Sequence, residues 1–375
     1  MTTTEQQPRT QESADQPSYK LIGYFPSWAI HAMRYNVSDI PANKLTCIIY
    51  AFAGVSADQE CVSLKPADDS VNFPQLVQVK QQFPNLRTLI SVGGAAHSTY
   101  FPSAASNDAA RQQFAQSCVQ FMKQNDFDGI DIDWEYPTSG QKQSFTALLA
   151  ELRHQLDAQG VADQKEYLLT IAAPAGSRNY ANLELNLIHS LLDWINLMAY
   201  DFSVASSTST DFLSPLNAYD PAIAKHATAN VNAAVQAYLN AGVPGDKLVL
   251  GTRFVGTGWQ GVADTGNGIY QQNDGPAPGT WDAAGGPPSG SFGYQDLEQN
   301  YLGSYTRYWH DDAQVPWLYS PSARVFVSYE DPQSLQLKAR YVLSNRLGGI
   351  MIWHLAADDE QHGLVNAMAS VLLNP

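Results

Sequence analysis

Residues 128–137, DGIDIDWEYP, decide the fold of this chain and indicate its chemistry. The stretch is otherwise typical of a buried β-strand, yet it carries four acidic residues in its first eight positions. Side chains alternate between the two faces of a strand, so Asp131, Asp133 and Glu135 share one face and apolar side chains occupy the other. Neighbours on one face are roughly 7 Å apart, which is close enough for these carboxylates to perturb one another's ionisation.

Short apolar runs recur along the chain, with amphipathic helical patterns between them. Apolar residues at helical spacing end at Gly160 in one segment and at Gly242 in another, and glycine commonly ends a helix. Eight strand–helix units predict an α/β fold, a parallel sheet closed into a (β/α)8 TIM barrel. The predicted strands are 21–25, 45–52, 88–92, 129–134, 168–173, 195–200, 248–254 and 349–354.

One interval does not follow this strand–helix repeat. From about 259 to 331 the chain is rich in Gly, Pro, Tyr and Trp and contains short alternating pieces such as RVFVSYE at 324–330. The interval is too long for a barrel loop, so we predict a small α+β insertion domain between the seventh strand and the last helix, placed at 334–346. Residues 1–17 are polar and predict a disordered tail, which leaves 18–375 as the catalytic barrel with its insertion.

Composition and charge narrow the kinds of partner. The net charge is −15 and no Lys/Arg cluster compensates it, which argues against nucleic acids and anionic membranes as partners. No segment is long and apolar enough to span a membrane, and the N-terminus lacks the apolar region of a secretory signal peptide. An uncharged ligand therefore fits best. We also expect a monomer. Nineteen Tyr and eight Trp would suit the flat apolar faces of sugar rings.

The cysteines and histidines predict neither a disulfide framework nor a metal site. An odd count of three cysteines without framework spacing argues against a disulfide-built fold, although a bridge between Cys47 and Cys61 is possible. Cys118 lies on the apolar side of a helical pattern and is interpreted as packing. The eight histidines show no metal-ligand spacing, so we predict no metal and no other cofactor.

The acidic face predicts general acid chemistry. In a barrel strand the apolar face meets the helices, so the acids point inward and Glu135 comes last, at the C-terminal mouth where barrel enzymes carry their chemistry. In a desolvated interior these groups cannot all ionise, so at least one proton is retained near neutral pH. Two alternatives are a solvated strand face and a divalent-metal site. The strict alternation of acids in the middle strand disfavours the first, and the lack of calcium-loop spacing disfavours the second.

The acidic strand resembles the D-x-x-D-x-D-x-E signature of the family 18 glycoside hydrolases, the chitinase family. Asp128, Asp131, Asp133 and Glu135 match it without a gap, and the resemblance covers nearly the whole chain after the tail. It implies a chitinase with an insertion domain, acting on chitin or chito-oligosaccharides. Such a substrate is extracellular, but no signal peptide is found, so the localisation stays open. Further motifs match in order along the chain: YAF at 50–52, SVGG at 91–94, MAYD at 198–201, FVSYED at 326–331 and GGIMIW at 348–353.

The resemblance also implies roles for the acidic residues. In this family the substrate's own N-acetyl oxygen attacks the anomeric carbon and forms an oxazolinium intermediate. Glu135 would be the general acid and then the base, and Asp133 would hold the acetamido N–H and stabilise the intermediate. Asp131 would tune the charge of Asp133, and Tyr200 would steady the acetamido oxygen. Asp128 is out of phase with the other acids, so its expected role is structural.

The same matches imply a sugar-binding wall. Trp353 would form the aromatic floor beneath the sugar at the cleavage point, and two positions depart from the family pattern. Ala95 stands where many members carry a tryptophan, and Val255 replaces a tyrosine of the seventh strand. The other expected wall residues are Tyr24, Phe25, Met198 and Asp201, and the candidate contacts for outer sugars are Trp28, Trp259, Trp281 and Trp317.

Two other functions compete with a chitinase. A chitinase-like lectin would bind the sugar without cleaving it, but such proteins typically lose the last acid of the signature, and Glu135 is present. An endo-β-N-acetylglucosaminidase acting on N-glycans would use the same catalytic residues. The predicted insertion domain, which would deepen the groove into a long wall, favours a linear polymer.

Overall fold

All eight predicted strand segments form strands in the computed structural model of the protein, which describes residues 19–373. The predicted tail at 1–17 lies outside the described residues. The strands are β1 (Lys20–Pro26), β2 (Cys47–Val55), β3 (Cys61–Ser63), β4 (Arg87–Gly93), β5 (Gly129–Asp133), β6 (Leu168–Pro174), β7 (Trp194–Met198), β8 (Leu248–Arg253), β9 (Val255–Trp259), β10 (Ser291–Gly293), β11 (Thr306–His310), β12 (Val315–Ser320), β13 (Val325–Ser328) and β14 (Gly349–Trp353).

The helices connect and cover these strands. They are α1 (Ala29–Ala32), α2 (Pro66–Gln82), α3 (Phe101–Ala104), α4 (Asp108–Gln124), α5 (Lys142–Asp163), α6 (Ser177–Tyr180), α7 (Leu185–Ile188), α8 (Val231–Asn240), α9 (Tyr294–Asp296), α10 (Pro332–Ser344) and α11 (Gly363–Leu372). Within residues 19–373, none of the helices combines the length and the apolar character needed to cross a membrane.

Eight of the strands form a closed parallel barrel. Their order is β1-β14-β8-β7-β6-β5-β4-β2, and pairing of β1 with β2 closes the ring. The short strand β3 adds to β2 as an antiparallel hairpin. The predicted TIM barrel is therefore confirmed, and its register sets Asp131 level with Ser91 on one side and Thr170 on the other.

Each barrel strand has an inner and an outer face. Strand β1 sends Tyr24 into the barrel interior. It sends Phe25 outward, where the ring packs on Tyr35 and Tyr50 with centroid distances of 6.2 and 6.0 Å. Full burial of such a side chain stabilises the fold by about 1.5–3 kcal/mol, so the layer between barrel and helices supplies much of the stability.

A second sheet forms the insertion between β8 and α10. It is antiparallel with the order β10-β9-β13-β12-β11 and spans residues 255–328. Only Phe254 separates β8 from β9, so no turn sequence marks the change of sheet. Trp259 and Trp317 lie in the aromatic core of this sheet and not on a sugar-binding surface, since their exposed fractions are 0% and 7%.

The structure corrects the predicted helix order and decides the question of a Cys47–Cys61 bridge. Helix α10 follows the insertion as expected, but it is not the last helix, because the apolar segment Gly363–Leu372 forms α11 after β14. Cys47 and Cys61 cannot form a bridge, since they lie at opposite ends of the β2–β3 hairpin, roughly 26 Å apart along β2. All three cysteines are free and buried.

A buried ion pair ties the end of the insertion to the barrel. The Lys338 ammonium on α10 contacts the Glu330 carboxylate and donates hydrogen bonds to the Ser214 carbonyl and hydroxyl oxygens, at 2.7 and 2.8 Å. The side chains of Lys338 and Glu330 are 0% and 1% exposed. Neither charge can be hydrated in this position, so each depends on the other.

We predict that Lys338→Met lowers the free energy of unfolding by about 3–5 kcal/mol, because it leaves the Glu330 carboxylate buried and unpaired. Urea unfolding followed by circular dichroism measures the change. The double variant Lys338→Met/Glu330→Gln removes both charges and should recover part of the loss. A single variant as stable as the native protein would contradict this account.

Candidate active site

A cavity of about 680 Å³ opens at the carboxyl ends of the barrel strands. Its wall is built from the last residues of the strands and the loops that follow them, because parallel strands end at the same rim of a barrel. The lining residues from the sequence predictions are Tyr24, Trp28, Ala95, Asp133, Glu135, Met198, Tyr200, Asp201 and Trp353.

Asp131 lies below the cavity at the centre of the barrel and is fully buried. Its carboxylate accepts hydrogen bonds from the hydroxyls of Tyr24, Ser91 and Thr170, at 2.8, 2.7 and 2.6 Å. The Asn196 amide donates a fourth at 3.3 Å. Burial raises the pKa of Asp131 above its usual range, and these donors oppose the rise by stabilising the charged form.

Asp133 lies one step higher on the same face and is 4% exposed. Burial raises its pKa well above the usual range, and the neighbouring carboxyls of Glu135 and Asp131 raise it further. Among the described residues, no group hydrogen-bonds to its buried Oδ1 atom. A buried polar atom without a partner is costly, so this oxygen is a candidate contact for a ligand donor.

Glu135 lies two residues beyond the end of β5, on the cavity wall. Burial is the largest influence on its carboxyl and raises the pKa, and the charge of Asp201 adds to the rise. Hydrogen bonds from the Tyr136 hydroxyl and the Ala95 backbone N–H act in the opposite direction without cancelling it. The raised pKa favours a protonated carboxyl that faces the cavity, as a general acid requires.

Tyr200 and Asp201 face Glu135 from the end of β7. Burial raises the pKa of the Tyr200 hydroxyl well above its usual range, with Asp201 as the next cause, so this hydroxyl stays a hydrogen-bond donor. Asp201 has a left-handed backbone with φ of 59° and forms an ion pair with the Arg253 guanidinium. The acid at the rim is therefore held in place from the neighbouring strand β8.

Aromatic side chains form the floor of the cavity. The Trp353 ring, at the end of β14, stacks on Phe52 with a centroid distance of 5.8 Å and an interplanar angle of 26°. Tyr24 meets the same ring edge-on at 5.7 Å, and Trp28 lies at 6.5 Å. The peptide bond after Trp353 is cis, as is the bond after Glu135. The exposed part of this floor suits the apolar face of a sugar ring.

Three residues considered in the sequence analysis lie away from the cavity. Phe25 does not line the cavity, because it follows Tyr24 directly and strand alternation turns it to the helix layer. Val255 is buried in the outer core at the start of β9 and does not line the cavity. Asp128 lies at the start of the strand, where it accepts the Thr88 N–H at 2.9 Å, which agrees with a structural role.

Some of the lining residues were not predicted from the sequence. Tyr136 directly follows Glu135 and reaches the cavity, so its position next to the acid was the available signal. Phe52 belongs to the YAF match, which indicated a strand but not an inward ring. His97 and Phe202 come from loops, and no sequence pattern marks loop residues as facing a cavity. Within residues 19–373, no group of three or more His, Cys, Asp or Glu side chains is arranged to hold a metal ion.

Comparison with known proteins places the chain in a family. The model of the glycosyl hydrolases family 18 matches residues 20–358, so the chain belongs to that family. It is 41% identical to chitinase A1 of Niallia circulans over 94% of its own length and 58% of that protein's length. The structure of chitinase ChiA74 from Bacillus thuringiensis superposes with a TM-score of 0.89 at 33% identity, covering 95% of this chain and 70% of that one.

A non-catalytic relative is similar as well. Human YKL-39, described as a pseudo-chitinase with retained chitooligosaccharide binding, superposes with a TM-score of 0.87 at 25% identity. The match covers 95% of this chain and all of YKL-39. The fold alone therefore does not decide between cleavage and binding, and the site residues must.

We predict that Asp201→Asn lowers the pKa of the Glu135 carboxyl, because removal of the nearby negative charge makes ionisation of Glu135 less costly. Carbon-13 NMR of protein labelled at the glutamate carboxyl measures this pKa, and Glu135→Gln assigns the signal. Asp264→Asn, in an exposed loop of the insertion, is the matched control and should leave the titration unchanged. An unchanged or raised pKa in Asp201→Asn would refute the coupling.

Proposed function

We propose that the protein is a chitinase that hydrolyses β-1,4 linkages of chitin and chito-oligosaccharides with retention of configuration, by a substrate-assisted mechanism. The observation that carries the proposal is the unpartnered buried Oδ1 of Asp133 beside a raised-pKa Glu135. Both acids face one cavity with an aromatic floor, a setting suited to an uncharged N-acetylated sugar. Similarity to named chitinases over nearly the whole chain supports the proposal.

Glu135 is the proton donor in this mechanism. Burial raises the pKa of its carboxyl and so favours the protonated form, which gives its proton to the oxygen of the leaving sugar as the glycosidic bond breaks. The resulting carboxylate then takes a proton from the water that attacks the intermediate. One residue serves both steps because the leaving sugar and the incoming water occupy the same position in turn.

Asp133 meets the charge that develops during the reaction. Its Oδ1 accepts the acetamido N–H of the bound sugar, which satisfies an oxygen that has no hydrogen-bond partner within residues 19–373. As the acetamido oxygen attacks the anomeric carbon, positive charge spreads over the new ring and stabilises the ionised form of Asp133. Such an interaction is stronger in the transition state than in the bound substrate, so it accelerates the chemical step.

No other acid of the site is free to act as the nucleophile. Asp131 lies deeper in the barrel, with both carboxylate oxygens occupied by hydrogen-bond donors. Asp201 is paired with Arg253 at the rim. The acetamido oxygen of the substrate therefore takes that role, and the Tyr200 hydroxyl is the donor that holds it.

The sugar itself rests on Trp353. The ring is fixed by Phe52 and Tyr24, so little side-chain freedom is lost when a sugar stacks on it. Met198 and Tyr200 form the facing wall. The insertion sheet begins one residue after the barrel strand β8. In this proposal it extends one side of the groove and favours a linear chain over a branched glycan.

A lectin without catalytic activity is the second candidate, because the chain resembles the pseudo-chitinase YKL-39. The presence of Glu135 at the cavity argues against it. Release of reducing ends from chitotetraose separates the two, since a lectin binds the oligosaccharide and leaves it intact.

We predict that Glu135→Gln keeps chito-oligosaccharide binding and loses turnover by about 10²–10⁴-fold on an unactivated substrate, because the amide has the same shape and no acidic proton. Isothermal titration calorimetry and chitotetraose hydrolysis measure the two properties. Glu298→Gln, an exposed residue of the insertion, is the control and should behave as the native protein. Retention of more than about a tenth of the native rate would remove Glu135 from its assigned role.

We further predict that partly deacetylated chitosan is cut only after N-acetylglucosamine units, because the sugar on the non-reducing side of the cut must supply the nucleophilic oxygen. Fully deacetylated chitosan should be cut hardly at all. Mass-spectrometric sequencing of the new reducing ends measures this preference. Frequent glucosamine at those ends would show that an enzyme group, and not the substrate, attacks the anomeric carbon.

A further inference from the structure

The backbone of Glu135 lies outside the hydrogen-bond ladder of the barrel. Strand β5 pairs with β4 up to Asp133, opposite Gly93, and ends there. Glu135 is two residues further along, where no strand is available to receive its backbone N–H. An atom other than a ladder carbonyl must fix this peptide group, and with it the direction of the side chain.

The hydroxyl of Ser98 fills that position. It accepts a hydrogen bond from the Glu135 backbone N–H at 2.9 Å. Its own proton has two carbonyl acceptors within reach, Gly94 at 3.0 Å and Asp133 at 3.3 Å. One side chain therefore joins the loop after β4 to the end of the acidic strand.

The loop that carries Ser98 holds each of the three residues at the strand end. Gly94 donates its backbone N–H to the Asp133 carbonyl at 2.8 Å. The Phe101 ring stacks on Trp134 with a centroid distance of 5.3 Å and an interplanar angle of 12°. The contact to the Glu135 backbone comes from Ser98, so the segment 94–101 acts as a clamp with at least one contact for each residue from 133 to 135.

Gly93, directly before the clamp, lets the backbone of the loop lie close to the end of β5. At Gly93, with φ of 114°, an added Cβ atom would lie 2.2 Å from the Asp133 carbonyl oxygen. The loop then turns back, with the His97 N–H bonded to the Gly94 carbonyl at 3.0 Å, and this turn brings Ser98 over the strand end. The contacts therefore continue from the barrel strand through this turn to Ser98, which is the residue that bonds to Glu135.

We infer that Ser98 is a positioning residue for Glu135: it orients the general acid by holding its backbone N–H and does not touch the substrate. The inference rests on the proposed glycosidase function. The Glu135 carboxyl is reached by the same segment, since the Ala95 N–H acts on it. Loss of the Ser98 hydroxyl leaves the Glu135 peptide without its fixed partner, so the carboxyl samples directions that do not face the leaving oxygen.

The test is Ser98→Ala, measured with two substrates. Hydrolysis of chitotetraose, whose leaving group needs full protonation, should lose about tenfold or more in kcat, with KM changed by less than about threefold. A 4-methylumbelliferyl chito-oligosaccharide has a leaving group that needs less help from an acid, so its rate should fall less. Ser98→Thr keeps the hydroxyl and should restore most of the chitotetraose rate.

Matched measurements separate positioning from a loss of stability. Ser103→Ala removes a hydroxyl that donates to the Tyr100 carbonyl at 2.8 Å near the same segment, away from the acidic strand, and should keep the native rate. Circular dichroism and calorimetric binding of the oligosaccharide show that each variant is folded at the assay temperature. A Ser98→Ala protein that is folded and cleaves chitotetraose at the native rate overturns the inference, and so does an equal loss on both substrates.

The outcomes for Glu135 and Ser98 are distinguishable. An inactive Glu135→Gln together with a fully active Ser98→Ala refutes only the positioning role. An active Glu135→Gln refutes the proposed function and the positioning role together.

Discussion

A charged group buried in a barrel interior must find hydrogen-bond partners in the protein, and this constraint governs the site from the centre outward. Asp131 is fully buried, yet four side chains donate to its two oxygens. The donors stand on β1, β4, β6 and β7, so one carboxylate connects half of the strands of the barrel. Burial of an acid is tolerable only when hydrogen bonds replace its water, and here the barrel itself supplies them.

The same constraint orders the three acids by their distance from solvent. Asp131 has every donor that it can use, Asp133 has an oxygen without a partner, and Glu135 reaches the wall of the cavity. Asp133 and Glu135 have few donors and lie close together, so ionisation of one makes ionisation of the other more costly. Glu135 is the outer of the two, so it is the acid placed to meet the leaving sugar.

The parts of the structure that follow from strand alternation were predictable from the sequence. The inward direction of Asp131, Asp133 and Glu135 and the number of barrel strands both come from repeating patterns. Alternation also excludes Phe25 from a wall that contains Tyr24, although both were expected there from their position near the mouth of the first strand. The start of the insertion was not predictable, because β8 and β9 are separated by one residue and no turn sequence lies between them.

Contacts made by loops were not predictable for a different reason. The pairing of Asp201 with Arg253 joins residues 52 positions apart, and the bond between Ser98 and Glu135 joins residues 37 positions apart. No local sequence pattern identifies the partner in either pair, so only the folded chain shows the contact. These are also the contacts that surround the reacting groups, because the rim of the barrel is where the strands end and the loops begin.

The boundary between ladder and loop runs through the active site itself. Asp133 is the last residue of β5 to pair with β4, and Glu135 lies just past it. A residue inside the ladder is fixed by two neighbouring strands, which suits a group that must hold a charge in one place. A residue past the ladder can face an open cavity, but its direction then depends on side-chain contacts such as that of Ser98. Glu135 lies beyond the ladder and can therefore contact both a leaving sugar and a water. The loop after β4 supplies the contacts that fix its direction, because the strand no longer does.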